Sequence, residues 1–202
     1  MEKAKVFFTE ELTADALQKI YRALGVSLPG KVAVKISTGE PGGHNFLQPA
    51  MIAPLVKELN GTIVECNTAY EGRRNTTAAH WETMKEHGFM DIAPCDIMDE
   101  DGDLSLPVTG GKQLKENFVG AHLDNYDSIL MLSHFKGHPM GGLGGALKNM
   151  SIGIASSRGK QWIHTSGSGE TSFDALMNAD HNSFLESMAD ACQAVIAHVG
   201  GE

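Results

Sequence analysis

Apolar residues recur at helical spacing at Leu12, Ala16, Leu17, Ile20 and Leu24, between two short runs, residues 5–9 and 31–38, whose composition reads as β-strand. Thr13 is available as the helix cap and Gly25 as its stop, so the predicted unit is strand, helix, strand. Met51, Ile52, Leu55, Val56 and Leu59 mark a second helix ending at Asn60-Gly61. Pro49 suits its first turn, whereas Pro54 is expected to kink it. A strand over 62–66, a turn at Glu71-Gly72 and a helix over about 77–87 closed by Gly88 repeat the alternation. Strands alternating with helices predict a parallel sheet.

The middle of the chain breaks this rhythm. Residues 92–98 and 104–108 read as short strands around Asp99-Glu-Asp-Gly-Asp, a turn composition, and predict a hairpin. The acids resemble part of a calcium loop, but the register that puts Gly102 sixth leaves Ile97 first and Val108 twelfth, where carboxylates are required. Residues 117–123 and 128–133 read as further strands, the second apolar enough for a buried central place. Phe184, Leu185, Met188, Cys192, Val195, Ile196 and Val199 form one stripe of a final helix stopped by Gly200, which makes Cys192 a core residue. The fold expected is α/β: a mostly parallel, Rossmann-like, doubly wound sheet with helices on both faces and a short β-hairpin insertion near 92–108. It is read as a single domain over 1–202. An α/β alternation leads from such a helix into another strand, so the chain is expected to be the N-terminal part of a longer protein.

At 202 residues and 42% hydrophobic, the chain can build a core without disulfides or a structural metal. Its longest apolar stretches, such as 129–132 and 152–155, fall far short of the ~20 residues that cross a bilayer, so no membrane partner is expected. The N-terminus lacks the apolar core of a secretion signal, and the compartment expected is the cytoplasm. Cys66, Cys95 and Cys192 are far apart with no C-x-x-C, which argues against a disulfide framework, a zinc ribbon or iron–sulfur ligands within this chain. A net charge of −9 repels phosphate backbones and excludes general nucleic-acid binding.

Three polar, glycine-bearing loops follow predicted strands. The first, Ile36-Ser-Thr-Gly-Glu-Pro-Gly-Gly-His-Asn-Phe, offers Ser37, Thr38, Glu40, His44 and Asn45. The second, Asn67-Thr-Ala-Tyr-Glu-Gly-Arg-Arg-Asn-Thr-Thr, offers Arg73 and Arg74. The third runs Ser133-His-Phe-Lys-Gly-His-Pro-Met-Gly-Gly-Leu-Gly-Gly-Ala-Leu-Lys-Asn-Met, where Gly141, Gly142, Gly144 and Gly145 can bring bare N–H groups to an anion. The pattern matches neither common nucleotide fingerprint. His134 and His138 have the spacing of a helical metal pair, although Gly137 and Pro139 oppose a helix there. Arg73, Arg74, Lys136, Lys148, Arg158 and Lys160 are expected in loops at the carboxyl ends of the strands. A basic mouth on an acidic protein predicts a small anionic ligand.

With Lys35-Ile-Ser-Thr-Gly-Glu-Pro-Gly, Tyr70-Glu-Gly-Arg-Arg-Asn-Thr and His134-Phe-Lys-Gly-His-Pro-Met-Gly-Gly-Leu-Gly-Gly-Ala-Leu-Lys-Asn, the chain resembles, over nearly all its length, family 362 of the domains of unknown function. The resemblance implies company with a 4Fe–4S ferredoxin-like domain or protein, a further chain beyond the last helix, and an iron–sulfur association whose cluster ligands lie outside this chain. More distantly, His138, Lys148 and His164, spaced by ten and then sixteen residues, resemble a constellation of the nickel-pincer lactate racemases. That resemblance implies a pyridinium-type nickel-pincer cofactor on Lys148, nickel on His164 and a proton-transferring base at His138. His134 is the second candidate metal ligand. Where those enzymes have their other catalytic histidine, this sequence has Gly72-Arg73-Arg74, which favours holding a carboxylate or phosphate. The function expected is a small-anion-binding, metal-assisted enzyme domain of isomerase, racemase or redox-associated type. The alternatives are a partner domain of a 4Fe–4S electron-transfer protein and a non-catalytic ligand-binding domain.

Overall fold

A computed structural model describes residues 3–172, 174–175 and 178–200. Helix α1 (Ala14–Leu24) starts at Thr13, whose hydroxyl accepts the N–H of Ala16, and stops at Gly25, left-handed at φ 67°. Strand β1 (Val32–Lys35), helix α2 (Pro49–Glu58), strand β2 (Thr62–Glu65), helix α3 (Thr77–Glu86) and strand β3 (Cys95–Ile97) follow. Helix α2 begins on Pro49 and runs on through Pro54, and Gly88 beyond α3 is left-handed at φ 80°. After β4 (Asp103–Pro107), β5 (Glu116–Gly120) and a 3-10 turn comes β6 (Ser128–Met131). A two-stranded ribbon of β7 (Lys136–His138) and β8 (Gly142–Gly144) leads into the single turn α4 (Ala146–Lys148), a π-helical turn (Asn149–Gly153), α5 (Ser157–His164) and α6 (His181–Val199).

The main sheet is parallel throughout, in the order β3-β2-β1-β6. Period-two alternation gives it two apolar faces. Val32, Val34 and Ile63 pack with Ile52 and Val56 of α2, Met84 of α3 and Leu17 of α1. Ala33 and Val64 pack with Ile152, Ile163 of α5, and Phe184, Met188 and Val195 of α6. Helices thus cover both faces, as a parallel sheet requires. The mixed α/β, largely parallel fold is the one that the hydrophobic pattern predicts.

Four local expectations are corrected. Residues 5–9 are not a strand: both neighbours of β1 are already taken, by β2 and β6, and Val6 and Phe8 are more than four-fifths exposed. Residues 92–98 and 104–108 do not pair with each other. Instead β3 joins the main sheet beside β2, and the hairpin forms between β4 and β5, from Asp103 opposite Gly120 to Pro107 opposite Glu116. Its long connection is held by Asp190 of α6, whose carboxylate accepts the N–H groups of Lys112, Gln113 and Leu114 at 3.2, 2.8 and 2.9 Å. Strand β6 lies at an edge of the sheet among the described residues, not at its centre, and three of its four residues are only partly buried. Lys148, Arg158 and Lys160 sit on helices α4 and α5 rather than in loops.

Candidate functional site

After β1 the chain builds outward to β2 and β3, then returns to the other side of β1 as β6. A parallel sheet opens a crevice where the winding reverses, outside the carboxyl ends of its strands. A cavity of about 510 Å³ lies there, lined from the loop after β1 by Ser37 and Glu40, from the loop after β2 by Thr68, Tyr70 and Arg74, and from the segment after β6 by Ser133, His134, Lys136 and His138. Gly144, Gly145, Lys148, Lys160 and His164 also line it.

The floor is a buried ion pair. Lys35 Nζ lies 2.8 Å from Glu65 Oε2, and it also donates to the Ile36 carbonyl at 2.6 Å and to Asn149 Oδ1 at 2.9 Å. Asn149 returns the contact by donating to the Lys35 carbonyl and to Ser133 Oγ, each at 3.0 Å, so the π-helical turn is pinned to β1. Glu65 Oε1 accepts the Thr38 N–H at 2.9 Å. Burial raises the Glu65 carboxyl, but Lys35, His80 and Arg74 outweigh it and bring it down to about 2. His80, wholly buried between Thr38 and Asn67, is held neutral by burial, down to about 4.

The walls are basic. Arg74, 7% exposed, reaches Glu40 and the Tyr70 hydroxyl, and its Nε is buried with no acceptor among the described residues. Among the described residues no carboxylate comes within 4 Å of the Lys136, Lys148 or Lys160 ammonium groups, and only the Ala155 carbonyl accepts from Lys160 Nζ, at 2.5 Å. Burial, then Lys160, Lys136 and Lys35, lower the Lys148 amine to about 8, and burial lowers Lys160 too. Burial pushes the Cys66 thiol in the same wall up to about 12, and its Sγ donates to the Ile154 carbonyl, so it is not a nucleophile at neutral pH.

The histidine spacing has a strand explanation. Residues 134, 136 and 138 line the cavity, while Phe135 and Gly137 point away and are exposed, which is the period-two alternation of an extended segment. No helix carries His134 and His138. His138 Nδ1 accepts the Gly141 N–H at 3.0 Å, and partial burial with Lys148, Lys136 and His164 brings the ring down to about 4. His164 stacks on Phe184 with centroids 4.9 Å apart, and its Nδ1 lies 2.6 Å from the Lys160 carbonyl.

Of the residues singled out in the sequence, Ser37, Glu40, Asn45, Arg74, His134, Lys136, His138, Gly144, Gly145, Lys148, Lys160 and His164 line the cavity, and six do not. Thr38 is fully buried beneath it, bound to Glu65 and His80. His44 is exposed. Arg73 turns outward to Glu86 of α3, at 2.7 Å, because the acidic face of that helix runs alongside it. Gly141 and Gly142 form the tip of the β7–β8 ribbon, where Gly142 is left-handed at φ 67°. Arg158 also lies outside, its guanidinium 3.6 Å above the Phe118 ring. Lys35, Glu65 and Asn149 were not singled out in the sequence. A charged residue at the end of each of two adjacent apolar strands, Lys35 and Glu65, was the one available signal.

The three possible metal-ligand atoms that approach within 4.8 Å of one another among the described residues belong to Asp96, Glu100 and His122, not to the cavity histidines. Both nitrogens of His122 are already engaged, by Asp96 at 2.8 Å and Asp101 at 2.9 Å. No helix among the described residues is long and apolar enough to cross a membrane.

A family model described as "Domain of unknown function (DUF362)" matches residues 32–199, which include every residue lining the cavity. The chain belongs to that family. No curated protein and no solved structure matches it.

Proposed function

We propose that this domain binds a small oxyanion, a carboxylate or a phosphate, in the cavity between β1, β2 and β6, and that Lys148 is its reactive amine. One observation carries this reading: Lys136, Lys148, Lys160 and the Arg74 guanidinium converge on one cavity with too few acids among the described residues to neutralise them, in a protein whose net charge is −9. Buried polar groups are normally satisfied, and an anion would satisfy these. An amine lowered to about 8 is partly unprotonated at neutral pH and can attack a carbonyl carbon, which supports an enzymatic role.

Calorimetric titration with inorganic phosphate and with oxalate at low salt tests the reading. Wild type should bind at least one of them, Lys148→Met and Lys160→Met should each weaken binding at least ten-fold, and Lys112→Met, whose ammonium pairs with Glu186 on the surface, should not. Absence of binding at millimolar ligand, or equal binding by all variants, overturns it.

A second reading is favoured by His164. Its Nδ1 faces a carbonyl, so Nδ1 carries the proton and Nε2 keeps a lone pair, the usual arrangement of a metal-ligating histidine. Lys148 and His164 therefore fit a nickel-pincer-type group of the kind implied by the racemase resemblance, with the amine as its attachment point and Nε2 as its metal ligand. When bound, such a group supplies a Lewis-acidic metal. Metal analysis with intact mass on protein from its own host distinguishes the readings: stoichiometric nickel with added mass on Lys148 supports this one, and an unmodified, metal-free protein that binds phosphate supports the first alone.

A further inference from the structure

Two histidines of the cavity, His138 and His164, are fixed in opposite tautomers by the backbone, and this determines what each can do for a ligand. Both roles presuppose the oxyanion reading above. An amide N–H can only donate, so the Gly141 N–H 3.0 Å from His138 Nδ1 requires a lone pair on that nitrogen. The proton of the neutral ring then sits on Nε2. At His164 the neighbour is the Lys160 carbonyl, which can only accept, so the proton sits on Nδ1 and the lone pair on Nε2. Both side chains line the cavity, and in each the nitrogen left over is Nε2.

We propose that His138 is a specificity-determining donor: its Nε2–H binds an oxygen of the anion held by Lys148 and Lys160. It is not a proton-accepting base. To accept a proton at Nε2, the ring would have to carry its hydrogen on Nδ1, pointing at the Gly141 N–H. That places two donors face to face and forfeits the bond that orients the ring. Partial burial, then Lys148 and Lys136, oppose charging of the ring, so His138 joins the cage as a neutral donor beside cationic ones. A neutral N–H donor aimed at an oxyanion needs no proton exchange with solvent when charge builds on the oxygen. The opposed pair has a polarity: an electron-rich oxygen belongs at His138, and a proton or metal ion belongs at His164.

The test has two parts. Long-range 15N–1H correlation on the ligand-free protein reads the tautomers directly, and His138 should show Nε2–H and His164 Nδ1–H. Inorganic phosphate is then titrated into His138→Gln, whose amide keeps a donor near the position of Nε2, and into His138→Leu, which keeps the bulk and removes the donor. The expected result is near wild-type affinity for His138→Gln and a loss on the order of ten- to a hundred-fold for His138→Leu, the effect of one charge-assisted hydrogen bond. An Nδ1–H tautomer at His138, or wild-type affinity in a folded His138→Leu, overturns the donor assignment and leaves the oxyanion reading intact. Failure of wild type to bind phosphate or oxalate, with the tautomers as stated, overturns both.

Discussion

Lys35 and Glu65, the last residues of neighbouring parallel strands, hold their charges 2.8 Å apart beneath the cavity, with side chains only 1% and 5% exposed. A buried pair of this kind gains little over an apolar pair of equal size, but breaking it leaves one charge stranded. Lys35→Met should destabilise the protein by ~3–5 kcal/mol, and the double variant with Glu65→Leu should recover most of that loss. Denaturant unfolding of the two variants checks this; equal stability of the single and double variants would refute it.

The same pair sets an acid limit on stability. The Glu65 carboxyl lies at about 2 in the folded protein and near 4.5 in an ordinary environment, so its contribution is complete above about pH 4.5 and is lost as pH falls toward 2. Thermal unfolding followed from pH 6 to pH 2 should show a steep decline in wild type. In Glu65→Gln the decline should be shallower.

Lys148 should be the fastest-reacting accessible amine. With its amine lowered to about 8 against 10.5 for an ordinary lysine, about half is unprotonated at pH 8, and that fraction falls below it. Mass-spectrometric mapping of limited acylation at pH 8 should place the first modification on Lys148, and phosphate should protect it. A rate that is still climbing at pH 10 would reject the lowered value.

Gly159 and Gly137 should respond oppositely to alanine. A Cβ at 159 would lie 1.9 Å from the Phe118 carbonyl oxygen, where α5 meets β5, so Gly159→Ala should cost about 1–3 kcal/mol by forcing the backbones apart. Nothing lies within 4 Å of a Cβ at 137, whose backbone is not left-handed, and Gly137→Ala should stay within ~0.5 kcal/mol of wild type. Melting temperatures of the two variants decide the point.

Asp190→Ala should release the β4–β5 connection. Its carboxylate accepts three backbone N–H groups, from Lys112, Gln113 and Leu114, and its loss leaves these donors unpaired beside the core at a cost on the order of 3 kcal/mol. Hydrogen exchange should speed up at 112–114 before it does so in the main sheet. Uniform protection in the variant would show that the loop is held by other means.

The sequence by itself determined what depends on neighbours a few residues away. Thr13 and Gly25 bound α1, Gly88 closes α3 and Gly200 stops α6 because caps and left-handed stops are set by local backbone chemistry. Alternating strands and helices then sufficed for a parallel sheet, and glycine-bearing loops after β1, β2 and β6 sufficed to suggest a crevice. Only the tertiary structure decided which strands pair and which charges are buried. Residues 5–9 have strand composition but no strand to join, and β4 takes β5 as its partner through a connection held by a carboxylate on α6. In the sequence Lys35 was only a charged end to an apolar strand, and its burial followed from Glu65, 30 residues away, and Asn149, 114 residues away, closing around it. Likewise, the spacing of His134, His138, Lys148 and His164 could be read from the chain, whereas the tautomers of His138 and His164 follow from which backbone group faces each ring. Pairing, burial and proton position are properties of contacts between distant residues, and they exist only once folding has removed the water between them.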